Sequence, residues 1–148
     1  MKKVLIIQSI FYKKIAKFLL EGATKELDRQ NVRYEIITVP GAFEIPAAIS
    51  MANKAKKYTG YVALGCVIRG ETTHYDYVCS ESARGLNDLA IKKTLAIGNA
   101  ILTTEDEEQA IRRSDPKQKN KGAVAANACV EMIKLKESLG FIENKRRK

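Results

Sequence analysis

The sequence predicts an α/β fold, a four-stranded parallel sheet with helices on both faces, and three observations lead there. Short apolar runs of strand length alternate four times with amphipathic segments of helix length. The segments between successive strands are long enough for helical crossovers, which parallel neighbours require. The 148 residues, 45% of them hydrophobic, suit one core of ordinary size, so a single domain over residues 1–148 is expected.

Taken in order, residues 4–7 read as a buried strand, and a helix over about 12–31 follows with the apolar stripe Ile15, Phe18, Leu19, Ala23 and Leu27. Residues 34–39 form the second strand, which Pro40-Gly41 breaks. A helix over 44–57 then turns Ile45, Ala48, Ile49 and Ala52 inward. The third strand, 61–68, ends in Arg69-Gly70 and leads to a helix over about 75–93 through Val78, Ala83, Leu86 and Leu89. A fourth strand over 95–102 gives way at Thr103-Thr104 to a helix with Glu105, Asp106, Glu107 and Glu108 around its first turn, where the helix dipole favours acids. Asp115-Pro116 stops it. The last helix starts near Gly122 and runs through Val124, Cys129, Met132, Ile133 and Leu135, with Gly140 placed to cap it.

Composition removes several function classes. No apolar run approaches the ~20 residues of a membrane helix, and Met1-Lys2-Lys3 leads into a strand instead of the apolar stretch of a signal peptide, so a cytoplasmic protein without membrane contact is expected. Cys66, Cys79 and Cys129 are far apart and share one histidine, His74; neither a zinc spacing nor a disulfide framework fits them. The net charge of +9 invites a nucleic-acid hypothesis, but nearly half of that excess lies in the basic tail Lys145, Arg146, Arg147 and Lys148. A solvated tail explains it without nucleic acid, and the remainder still suits a small anionic ligand.

Ligands of such sheets bind beyond the carboxyl ends of the strands. There the chain places Ser9-Ile10-Phe11-Tyr12, Pro40-Gly41-Ala42-Phe43-Glu44, Arg69-Gly70-Glu71-Thr72-Thr73-His74 and Thr103-Thr104. Gly70 would let the backbone turn sharply, bringing the amides of Glu71 and Thr72 to a helix N-terminus that attracts an anion; taken alone, the loop fits an ordinary helix cap equally well. His74, a few residues on, is a natural proton shuttle near neutral pH, and Asp76 stands close enough in sequence to tune it. Glu44 can accept hydrogen bonds from ligand hydroxyls, and Phe11 and Phe43 can stack on a flat heterocycle or simply pack. Arg113, Lys117, Lys119 and Lys121 read as a phosphate clamp or as a solvated basic turn.

The stretches Gly41-Ala42-Phe43-Glu44-Ile45-Pro46, Gly65-Cys66-Val67-Ile68-Arg69-Gly70-Glu71-Thr72-Thr73-His74-Tyr75-Asp76, Leu102-Thr103-Thr104-Glu105 with Glu108-Gln109-Ala110, and Asn120-Lys121-Gly122 resemble, in the same order, the signatures of the lumazine synthase family. The resemblance covers nearly the whole chain and implies a flavodoxin-like three-layer sandwich. It implies condensation of 5-amino-6-(D-ribitylamino)uracil with 3,4-dihydroxy-2-butanone 4-phosphate to 6,7-dimethyl-8-ribityllumazine, the penultimate step of riboflavin biosynthesis, with no metal and no cofactor. In that scheme Phe11 stacks on the pyrimidine, Ala42, Phe43 and Glu44 hold the ribityl chain, and Cys66, Val67 and Ile68 offer main-chain contacts to the ring. The amides of Glu71 and Thr72 bind phosphate together with Arg113 and Lys121, His74 moves the proton, and Asn99 reaches the pyrimidine site across a subunit boundary. The resemblance also implies a homo-oligomer built on pentamers with shared active sites, and riboflavin synthase as a partner. Tyr12, Glu71 and Asn99 depart from the family's usual residues at their positions.

Overall fold

The computed structural model describes residues 2–141; the basic tail at 145–148 lies outside the described residues. Four strands, β1 (Lys3–Ser9), β2 (Arg33–Val39), β3 (Gly60–Ile68) and β4 (Ile97–Thr104), form one sheet in the order β2-β1-β3-β4 with every pairing parallel. Helices α1 (Lys13–Arg29), α4 (Glu107–Ser114) and α5 (Lys121–Ser138) cover one face, and α2 (Ile45–Lys54) and α3 (His74–Lys92) cover the other. The α/β sandwich expected from the alternating patterns is therefore present.

The strands read as continuous apolar runs because both faces are buried. Along β1 and β3, Val4, Ile6, Val62 and Leu64 point toward α1 and α5, while Leu5, Ile7, Tyr61 and Ala63 point toward α2 and α3. Strand β2 lies at the edge and leaves Ile36 and Ile37 partly exposed.

Helix ends fall earlier than the periodicity suggests. Helix α1 stops at Arg29 and α2 at Lys54, because Asn31 and Lys56 take left-handed backbone conformations (φ 55° and 52°) that turn the chain back into the sheet. Strand β4 instead runs two residues further, through Thr104, since Thr103 and Thr104 pair with Val67 and Ile68. Helix α4 is capped by Asp106, whose carboxylate accepts the Gln109 amide at 2.8 Å, with Glu107 and Glu108 in the first turn. Helix α5 ends at Ser138, and Gly140 (φ 78°) caps it as expected: the Gly140 amide reaches Glu137 O at 3.1 Å and the Phe141 amide Lys136 O at 2.9 Å.

Two helix faces differ from the expected stripes. In α3, Ser82 is buried and Ala83 is exposed. In α5, Val124, Met132 and Leu135 stand outward while Ala125, Ala126, Cys129 and Val130 face the sheet. The reason is distance: α5 lies so close to β4 that a Cβ added at Gly98 would sit 1.8 Å from the Ala125 carbonyl oxygen, so only small residues fit between them.

The amino ends of the strands are closed by polar contacts. Glu35 on β2 binds Lys3 Nζ at 2.6 Å and Lys57 Nζ at 3.1 Å and accepts the Tyr58 hydroxyl, and the Thr59 amide donates to Lys3 O at 2.8 Å. These bonds, led by the one from Lys3, hold the Glu35 carboxyl down at about 2. Among the described residues, no helix is long and apolar enough to cross a membrane.

Candidate active site

The carboxyl ends of β1, β2 and β3 open into a cleft of about 560 Å³. It lies at the point where the strand order reverses between β1 and β3, the expected ligand position in an open parallel sheet. Each wall comes from a different loop. After β1 the chain supplies Phe11 and Tyr12; after β2, Pro40 to Glu44; from the end of β3, Cys66, Val67 and Ile68; and from the following turn, Gly70, Thr72, His74 and Tyr75.

Phe11 and Phe43 are 77% and 56% exposed, although both are large apolar rings, so neither is held in the core. The Tyr12 ring meets Phe11 edge-on, with centroids 5.0 Å apart and planes at 80°, and braces a face that a planar ligand can cover. Burial, together with nearby Cys66 and Glu107, raises the Tyr12 phenol above its ordinary value, so it remains a neutral hydroxyl.

Glu44 closes a single 3-10 turn, Ala42–Glu44, whose last amide donates to Gly41 O at 3.2 Å. The turn folds the carboxylate back beside Gly41, where a Cβ would meet Glu44 Oε2 at 3.2 Å, and this leaves the acid on the cleft wall. Ala42 beneath it is buried. Cys66 is half-buried, and burial, then Cys79 and Glu107, push its thiol up to about 12. It stays protonated at neutral pH and is no nucleophile. What this strand end offers a ligand is its backbone.

His74 is the first residue of α3 and is exposed on the cleft. Its amide donates to Thr72 Oγ1 at 3.3 Å, while the amides of Glu71 and Thr72 find no acceptor among the described residues. Two donors therefore stand free at the positive end of a 19-residue helix, beside the imidazole. The Thr72 hydroxyl thus satisfies one amide of the first turn, as a cap would, although the N-cap residue Thr73 makes no side-chain cap bond, and the two unpaired amides are left over. Gly70 does not serve by left-handed conformation, since among the described residues Gly140 is the glycine with positive φ. A Cβ at Gly70 would meet nothing within 4 Å, so the residue marks open space next to these amides. Asp76 does not approach the imidazole by any described hydrogen bond; its carboxylate faces Arg69 Nη1 at 3.5 Å.

Of the residues singled out from sequence, Phe11, Ala42, Phe43, Glu44, Cys66, Val67, Ile68, Thr72 and His74 line one cleft. Asn99, Arg113 and Lys121 do not, and Glu71 joins through its neighbours' loop without lining the wall. Asn99 lies on β4 in a separate depression with Arg84 and Asn87, its side-chain oxygen accepting the Ile101 amide at 2.8 Å. Arg113 Nη1 donates to Gln109 O at 3.1 Å, and Lys121 is exposed at the start of α5. Ser9, placed at this rim from sequence, lines the cleft, as do Tyr75 and Val78, to which the sequence assigns no ligand role. Tyr75 was detectable in principle, because it follows the histidine directly on the first helical turn.

A family model described as 6,7-dimethyl-8-ribityllumazine synthase matches residues 1–137. The 6,7-dimethyl-8-ribityllumazine synthase of Bartonella tribocorum is 54% identical over 138 residues, spanning 93% of this chain and 91% of the relative. Those of Agrobacterium fabrum (52%, with 93% and 96% covered) and Zymomonas mobilis (50%, with 94% and 99% covered) are similar along nearly their full lengths.

Proposed function

The chain belongs to the 6,7-dimethyl-8-ribityllumazine synthase family, and from that premise we propose that the rim cleft is its active site. The enzyme condenses 5-amino-6-(D-ribitylamino)uracil with 3,4-dihydroxy-2-butanone 4-phosphate to 6,7-dimethyl-8-ribityllumazine, releasing phosphate and two molecules of water, in the penultimate step of riboflavin biosynthesis. One observation carries the assignment: an exposed imidazole and two exposed aromatic rings, drawn from separate loops, line one cavity beside a turn whose Glu71 and Thr72 amides have no acceptor among the described residues.

Phe11 stacks on the pyrimidine, and Ala42, Phe43 and Glu44 hold the ribityl chain, Glu44 accepting from its hydroxyls. The main chain at Cys66, Val67 and Ile68 contacts the ring edge. The amides of Glu71 and Thr72 take the phosphate at the α3 N-terminus. The pyrimidine's amine attacks the ketone and loses water to give an imine; phosphate leaves, and ring closure with a second dehydration completes the product. His74 carries protons between these steps, and positioning supplies the rest, because the substrate brings its own nucleophile.

Asn99, Arg113 and Lys121 complete the site from a neighbouring subunit in a homo-oligomer of pentamers. That reading is supported by their positions outside this chain's own cleft and by apolar residues left exposed on β2 and α5, among them Ile36, Ile37, Val124 and Leu135. The protein works in the cytoplasm as one domain over 1–148, and riboflavin synthase is the partner that consumes its product. Mixing the purified protein with both substrates tests the function: lumazine fluorescence should appear, and its absence overturns the reading.

A further inference from the structure

We propose that Arg69 is a positioning residue: its guanidinium clamps loop 70–73 and the first turn of α3, and so sets the geometry of the phosphate cradle and of His74. The proposal rests on reading the rim cleft as the active site. Three groups from two different elements meet this one side chain. Arg69 Nε donates to Glu105 Oε2 at 2.7 Å just past β4, Nη1 faces Asp76 Oδ1 at 3.5 Å on α3, and the guanidinium carbon lies 4.3 Å from the centre of the Tyr75 ring. The Arg69 amide also donates to Thr104 O at 3.0 Å, fixing the end of β3 against the end of β4.

Tyr75 and Asp76 directly follow His74, and Tyr75 is itself a wall of the cleft. The loop between Arg69 and Tyr75 is otherwise weakly held: its described hydrogen bonds are His74 N–H to Thr72 Oγ1 at 3.3 Å and Asp76 N–H to Thr73 O at 3.0 Å. The side chain thus closes a short strap across the very residues whose amides must stay aimed. It is not a phosphate ligand: its donors are taken up by two carboxylates and it does not line the cleft. Arg69 is 41% exposed and both acids 59%, so these ion pairs contribute little to global stability; their consequence is local order. A lysine could keep the charge but not the planar stack with its forked donors.

Arg69→Ala is expected to raise KM for 3,4-dihydroxy-2-butanone 4-phosphate about tenfold, to weaken inhibition by inorganic phosphate by the same factor, and to leave KM for the pyrimidine amine within about twofold. Hydrogen exchange at the amides of residues 71–75 should quicken while β1 and β3 keep their protection, and Arg69→Lys should recover only part of both effects. Unchanged exchange at 71–75 with unchanged phosphate KM overturns the proposal. So does a parallel rise in both KM values with loss of protection in the strands, which would mark a merely structural residue. Should Arg69→Ala not fold, the double variant Asp76→Asn with Glu105→Gln frees the guanidinium without removing it and should shift the same readouts in the same direction. If the parent protein forms no lumazine, the functional reading fails, whereas exchange at 71–75 still decides for or against the clamp.

Discussion

Gly98, at the amino end of β4, and Gly70, just past the carboxyl end of β3, sit in opposite surroundings. A Cβ at Gly98 would collide with the backbone of α5, whereas one at Gly70 would meet nothing within 4 Å. The polar groups divide the same way. At the amino end, Glu35, Lys3, Lys57 and Tyr58 satisfy one another, while at the carboxyl end the Glu71 and Thr72 amides have no acceptor among the described residues. Stability is built where groups are paired and packed, and binding where they are left open.

The largest expected break in this contrast is Gly98→Ala. Forcing α5 off the sheet should cost about 3 kcal/mol or more, read as a lowered denaturation midpoint or loss of folded protein. Tolerance of alanine there would mean that the closed end is not close-packed. At the open end, His74→Ala should slow lumazine formation by about a hundredfold while the denaturation midpoint stays where it is. Parental activity in that variant would remove the imidazole from the chemistry.

A smaller effect tests the polar closure. The Glu35 carboxyl is held at about 2 in the folded chain against 4.5 as its ordinary value. The stability it contributes is therefore complete above pH 4.5 and disappears as pH falls toward 2. Glu35→Gln should flatten the loss of stability across that window, and an unaltered acid-unfolding curve would show that the cluster holds nothing. Smallest of all, Gly70→Ala should shift the midpoint by less than about 1 kcal/mol equivalent, since neither backbone conformation nor space demands glycine. A large loss there would erase the difference between the two ends.

Much of the fold was legible because burial imposes periodicity. The apolar runs of β1 and β3 and the stripes Ile15, Leu19, Ala23 and Leu27 of α1 recur as buried residues. The stripe of α5 was misread toward its bulkiest residues, Val124, Met132 and Leu135, because hydrophobicity alone cannot reveal that Gly98 brings the helix too close for them. The cleft followed from loop position: Phe11, Glu44 and His74 end up together because parallel strands send all their following loops to the same side. The Arg69 contact to Glu105 was not legible, as nothing periodic links residues 36 positions apart.

By itself, then, the sequence determined the alternation of elements, the parallel sheet and the identity of the residues at its carboxyl rim, since these depend on local pattern and on chain connectivity. Only the tertiary structure decided which glycine is crowded and which is open, which amides stay unpaired, and that Asp76 faces an arginine instead of an imidazole. Those outcomes depend on distances between segments remote in the chain, and such distances are set by packing, which no single stretch of sequence contains.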